Sequence, residues 1–373
     1  MNATGSIVDL DDVNGLLAAD RDGSLRAVAM AGAQVRATAA ALDEGELDQL
    51  QSNEPPRTVV WVAGRGNAEA AGSLLAAALG GSAAAPIVVA PEVPPWIGAL
   101  DVLIVAGDDP ADPALVSAAA TGVRRGARVV VVAPYEGPLR DATAGRSVSL
   151  APRVWVPDEF GFSRYVAAGL ATLAVVDQGL RVDLAALADE LDAEALRNSA
   201  GRELFTNPAK SLAERMLGCD VVIAGDNAAT LVLARQVAAV MLRVAHRPVA
   251  AVGLADAAVA LRNGMGAASD ADREQSIFHD EQIDGPLPPR VRTFVLATDA
   301  ERSVLTASVA GLDGVDVIIA EDVPEAPDIL GISDIERTPE AAASAGPGRL
   351  EEQLAMLAVR MEMTAVYLKL VRG

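Results

Sequence analysis

With 373 residues, 51% of them hydrophobic, the chain is long for one domain and comfortable for two with a sizeable core. A formal net charge of −21 repels phosphate backbones and denies counterion release over most of the surface, so nucleic-acid binding is not expected. One cysteine cannot close an intrachain disulfide, the N-terminus MNATGSIVDLDD carries acids where a leader needs bases, and no apolar run reaches the ~20 residues of a span; a cytoplasmic protein without membrane attachment is expected.

Residues 13–50 place Leu16, Leu17, Leu25, Val28, Met30, Val35 and Leu42 at helical spacing, a helical lead-in expected over 1–52. Short β-branched runs then alternate with Ala-rich stretches: strands at 58–63, 87–90, 101–106 and 127–133, helices at 67–80 and 111–125, and a helix at roughly 160–178. Continuous apolar strands separated by helices describe a parallel sheet covered on both faces. The order begins again with helices near 183–197 and 207–218, strand 220–225, helix 227–245, strands 248–253 and 291–298, helix 299–309 and strand 315–322. The predicted class is α/β, two tandem flavodoxin-like doubly wound parallel-sheet domains over 53–180 and 181–373. Residues 350–371 predict one long amphipathic C-terminal helix, with Leu350, Leu354, Leu357, Met361 and Val366 as its apolar face. The acidic, Gly/Pro-containing stretch 262–290 is longer than ordinary α/β connections and suits a mobile loop or a lid. The Pro-rich connection 323–348 suggests no chemistry. The Ala, Val, Leu and Gly bias, with 3% aromatics, is that of a GC-rich bacterial genome.

In VAGRGNAEAAG (62–72) an apolar strand runs through a glycine turn into a helix, which gathers backbone N–H groups and a helix dipole at one point. Gly64, Arg65, Gly66 and Asn67 are therefore candidate ligand-binding residues, although the turn has no hydroxyl. The next strand end, AGDDPADP, brings Asp108, Asp109 and Asp112. One like-charge pair ~4 Å apart costs about 4 kcal/mol at an effective dielectric near 20, so this loop is a poor phosphate cradle. A helix start capped by Asp109 or Asp112 is the plainer reading, and a divalent-metal site the alternative. Cys219, inside CDVVIAG, reads as a buried, unreactive thiol. Arg235, Arg243, His246 and Arg247 lie on or just beyond one helix, either as an anion-binding stripe or as arginines paired with neighbouring acids; Arg235 and Arg243 are counted with the candidate binding residues.

The tandem layout, the Gly-x-Gly turn after the first strand, NPAKSLAERMLG (207–218) and the terminal AVYLKLVRG together resemble the bifunctional phosphoglucose/phosphomannose isomerase family of paired sugar-isomerase (SIS) domains. The resemblance covers roughly residues 15–373. It implies a homodimer, a sugar-phosphate or nucleotide-sugar ligand, a protein partner in mannose metabolism, and no cofactor or metal. Its functional positions mostly fail to match. The phosphate-contacting serine falls on Ala68, the hydroxyl-rich loop falls on AGDDPA (106–111), and the catalytic glutamate falls on Val240 when Arg235 is matched to the family's basic residue. The ring-opening histidine has one candidate, His279 in HDEQIDG, and the family's lysine beyond the last helix has no counterpart. The family's Pro-Arg falls near Pro157-Asp158, where Arg164 or Arg153 could compensate. Isomerisation needs a base at the migrating proton, which valine cannot supply. A degenerate, non-catalytic SIS protein of regulatory or scaffold character is therefore expected; the alternative is an active phosphohexose isomerase using His279, with Arg65 or Arg235 for phosphate.

Overall fold

A computed structural model describes residues 8–52, 54–266, 290–320 and 349–372. The chain divides into two compact units, Arg21–Arg197 and Met1–Asp20 with Asn198–Gly373.

In the first of these, α2 (Ser24–Ala29) and α3 (Ala31–Asp43) precede β1 (Thr58–Ala63), α4 (Asn67–Leu79), β2 (Ile87–Ala90), β3 (Asp101–Ala106), α5 (Pro113–Arg124), β4 (Arg128–Val132), α6 (Gly137–Thr143), β5 (Val148–Ser149), α7 (Phe162–Val176) and α8 (Leu184–Arg197). The sheet is parallel in the order β2-β1-β3-β4-β5, the flavodoxin-like winding. Every residue of β3 is buried, which explains why its sequence is apolar without alternation. One face of the sheet packs Val60, Val62, Leu103, Val105, Val129 and Val131 against Leu115, Ala119 and Val123 of α5. Arg36 of α3 is paired with Asp189, at 2.7 Å, and with Asp192 of α8. That grouping sets α8 with Arg21–Arg197.

The other unit repeats the scheme: α1 (Val13–Ala19), α9 (Pro208–Met216), β6 (Cys219–Gly225), α10 (Ala228–Ala245), β7 (Ala250–Gly253), α11 (Leu254–Arg262), β8 (Arg290–Leu296), α12 (Arg302–Val309), β9 (Val315–Ile318) and α13 (Leu350–Arg372). Its sheet, β7-β6-β8-β9, is again parallel, so the expectation of two doubly wound parallel sheets with a helical lead-in and a long terminal helix is met. Gly225 ends β6 where α10 begins, and a Cβ built on it would lie 2.3 Å from the Leu231 nitrogen. Only glycine permits that approach. Among the described residues, α10 alone has the length and apolar character to cross a membrane, with a mean hydropathy of 1.5. It packs on β6, β7 and α13, and 56% of it is buried, as in a core helix.

The terminal helix corrects the amphipathic expectation. From Gln353 to Leu368 the residues of α13 are buried without a break, including Arg360, Glu362 and Thr364. Arg360 is satisfied by the carbonyls of Ile319, at 2.7 Å, and Ala320, at 2.5 Å, just beyond β9. Lys210 of the NPAK segment is likewise fully buried, donating to the carbonyls of Ala200 at 2.9 Å and Arg202 at 2.8 Å. Asn207 caps α9 by accepting from the Lys210 N–H at 3.0 Å. NPAK is thus an architectural element that fastens the 199–203 turn.

Candidate functional site

In a sheet wound 2-1-3-4 the ligand crevice opens at the carboxyl ends of the strands on either side of the switch point, here β1 and β3. The two loops are tied together by the Gly64 N–H, which donates to the Ala106 carbonyl at 2.8 Å. Gly66 has φ 73° and ψ −127°, a conformation that turns the chain sharply from β1 into α4. Arg65 is exposed. Asn67 is buried, and its amide donates to the carbonyls of Asp158 at 2.7 Å and Glu159 at 3.0 Å. Those donors fasten the 158–160 turn. Ala68 is fully buried, with its carbonyl accepting from the Trp61 indole at 3.0 Å.

The three aspartates of the second loop perform separate tasks. Asp109 accepts from the Ala111 N–H at 2.8 Å, and Asp112 caps α5 by accepting from the Ala114 N–H at 2.8 Å, with Pro113 in the first turn. Asp108 instead turns toward α7, where its Oδ1 accepts from Arg164 Nη2 at 2.8 Å and from the Tyr165 hydroxyl at 2.5 Å. Among the described residues no cluster of three or more metal-type ligands exists. The Arg164 guanidinium stacks 4.2 Å over the Tyr165 ring, and its Nη1 is buried with no hydrogen-bond partner among the described residues.

The charges here are confined. Burial raises the Tyr165 pKa, with the neighbouring Arg164 opposing and the Asp108 charge adding to the rise. Burial also raises Asp158, reinforced by Asp108 and Glu159 and opposed by Arg164. Arg153 is paired with Glu44 at 2.6 Å and with Glu46 at 2.5 Å, while Arg164 lines a small cleft with Gln34, Thr38, Leu150 and Arg153.

The β6 and β8 ends use the same device. Asn227 caps α10, accepting from the Thr230 N–H at 2.9 Å, and its amide donates to Glu301 Oε1 at 2.6 Å. Glu301 Oε2 accepts from the Thr298 N–H at 3.1 Å and hydroxyl at 2.7 Å. In each unit, then, a carboxylate from the loop after the third strand of the winding already takes up polar donors near the crevice.

The basic residues of α10 do not share one solvent face. Arg235 is exposed, Arg243 is part-buried and acts on the Glu362 carboxyl, His246 is exposed at the helix end with φ 51°, and buried Arg247 donates to the Cys219 carbonyl. Burial pushes Glu362 up to about 8, against the opposing charge of Arg243. Val240 is buried. Cys219 is half-buried, more exposed than its apolar run suggests, because it opens β6 ahead of the buried stretch. His279 lies outside the described residues. The Asp108–Arg164–Tyr165 cluster was not foreseen; its signal in the sequence is an acid at a strand end and an Arg-Tyr pair in the first turn of a later helix.

No family model matches the chain, and no curated protein matches it by sequence. Solved structures do share its fold. A protein described as a phosphosugar isomerase from Clostridium difficile 630 aligns with a TM-score of 0.59 at 12% identity, covering 93% of this chain and 92% of that one. The C-terminal domain of glucosamine-fructose-6-phosphate aminotransferase from Francisella tularensis aligns with a TM-score of 0.58 at 10% identity, covering 95% and 98%. A glucose-6-phosphate isomerase-like protein from Thermus thermophilus gives 0.54 at 19% identity, covering 98% and 96%. The chain has the fold of the phosphosugar isomerases. At these identities the likeness concerns architecture alone.

Proposed function

We propose that this chain is a non-catalytic SIS protein, a cytoplasmic regulatory or scaffold component related to sugar-phosphate metabolism that works as a homodimer. The fold neighbours support the ligand class, since their descriptions name phosphosugars or hexose 6-phosphates. The observation that carries the non-catalytic reading is the engagement of Asp108 with Arg164 and Tyr165, at 2.8 and 2.5 Å, where a phosphate-binding loop would offer hydroxyls. A fixed negative charge at that point disfavours a phosphate dianion. Buried Val240, at the position matched to the family's base, adds an independent reason against proton transfer. A mannose-pathway partner and a nucleotide-sugar ligand belong to the same reading.

The test is a coupled assay that interconverts fructose 6-phosphate with glucose 6-phosphate and mannose 6-phosphate. The expected result is no turnover above the uncatalysed rate. Turnover in the ordinary enzyme range of roughly 1–10³ s⁻¹ would establish instead an isomerase with relocated groups, His279 and Arg65 or Arg235 being the first to substitute.

A further inference from the structure

Arg164 and Tyr165 converge on a single oxygen, Asp108 Oδ1, at 2.8 and 2.5 Å. A guanidinium is built to hold an oxyanion through two parallel N–H groups, yet here one nitrogen is used on Asp108 and Nη1 stays buried without a partner among the described residues. A buried donor left unmade is unfavourable, and the side chain of Asp108, tethered to the β3 loop, leaves it so. The arginine is also held face-on to the Tyr165 ring, at 4.2 Å. Its fork is therefore held by the ring as well as by the carboxylate.

We propose that Arg164 and Tyr165 form an oxyanion receptor for a phosphate or phosphomonoester, and that Asp108 is its tethered resident anion. A tetrahedral phosphate presents oxygens to both guanidinium nitrogens and to the phenol at once, which one carboxylate oxygen does not. The Arg164 and Asp108 side chains keep 12% and 25% of their surface exposed, so the pair borders solvent. An external anion must nevertheless compete with a group held at an effective concentration in the millimolar range or above, so the receptor is closed in the wild-type chain at ordinary ligand levels. Removing the resident charge opens it. The receptor is a binding device and does not depend on the chain being catalytic or non-catalytic.

The experiment compares wild type, Asp108→Ser, Asp108→Asn and the double variant Asp108→Ser/Arg164→Ala by calorimetry and by thermal melting, with inorganic phosphate and with fructose 6-phosphate as separate probes. The expected result is that both single variants bind phosphate at least about tenfold more tightly than wild type, the equivalent of one charge-assisted hydrogen bond gained, and that the double variant loses the gain. Fructose 6-phosphate binding alongside phosphate places a phosphomonoester in the receptor; phosphate alone restricts the receptor to the free oxyanion. Should the variants be too unstable for calorimetry, excess phosphate still raises their melting temperatures more than that of wild type. Phosphate-independent melting of both single variants, or a gain that survives Arg164→Ala, overturns the proposal. Neither result bears on the turnover assay, so the two readings fail separately.

Discussion

Glu362 is a carboxyl buried in the middle of α13 with its pKa raised to about 8 from an ordinary 4.5, chiefly by burial, with Arg243 opposing. A carboxyl whose folded pKa is raised holds its proton more tightly folded than unfolded, so its stabilising contribution is complete below about pH 4.5 and is lost as pH rises through about 8. Glu362→Gln keeps the shape and cannot ionise. Urea unfolding followed across this window should show wild-type stability falling toward alkaline pH, on the order of a few kcal/mol, while the variant stays flatter and becomes the more stable protein at the alkaline end. A wild-type-to-variant difference that does not change with pH would remove this assignment. At this scale the sequence was legible where side chains act locally: of the two aspartates offered as a helix cap, Asp112 caps α5. It was not legible for Asp108, Arg164 and Tyr165, since the helix that returns to β3 is 56 residues further along the chain.

Elements followed the sequence wherever burial enforced the pattern. The runs TVVWVA, DVLIVA and the strand before α10 became β1, β3 and β6 because a sheet covered on both faces needs unbroken apolar strands. The two-residue β5 and the helices α6 and α11 escaped detection. Each is short, and α6 carries Gly137 and Pro138 in its first turn, a composition that also suits a loop. The C-terminal helix failed differently: its periodic apolar positions suggested a polar outer face, but Arg360 and Glu362 are buried and satisfied or neutralised inside. The packing of β6 on α10 provides a sharp test. Gly225→Ala puts a methyl group 2.3 Å from the Leu231 backbone nitrogen, and a backbone contact cannot rotate away. The helix must shift, so a loss of about 1–3 kcal/mol in chemical denaturation is expected; a loss under a few tenths would mean that the β6–α10 junction is looser than its geometry.

Taken as a whole, the chain combines a phosphosugar-isomerase architecture with an acidic surface and loops whose donors are engaged by its own carboxylates. Fold was legible because two doubly wound sheets leave a repeated apolar rhythm; the candidate site was less so, because it joins side chains 56 residues apart in the chain. That distinction predicts the outcome of the simplest repair. Val240→Glu supplies a carboxylate at the position matched to the family's base, yet Val240 is 1% exposed, so the new side chain enters an apolar site where its charged form is disfavoured. Positioning of bound substrate can lower a barrier by about 7–11 kcal/mol, and a base alone brings none of it. Ala68 still lacks a hydroxyl, and Asp108 still occupies Arg164 and Tyr165. Val240→Glu should therefore lower the melting temperature and leave phosphohexose turnover at the uncatalysed rate in the coupled assay. Turnover restored by this one substitution would mean that the substrate is already positioned by groups other than those two loops.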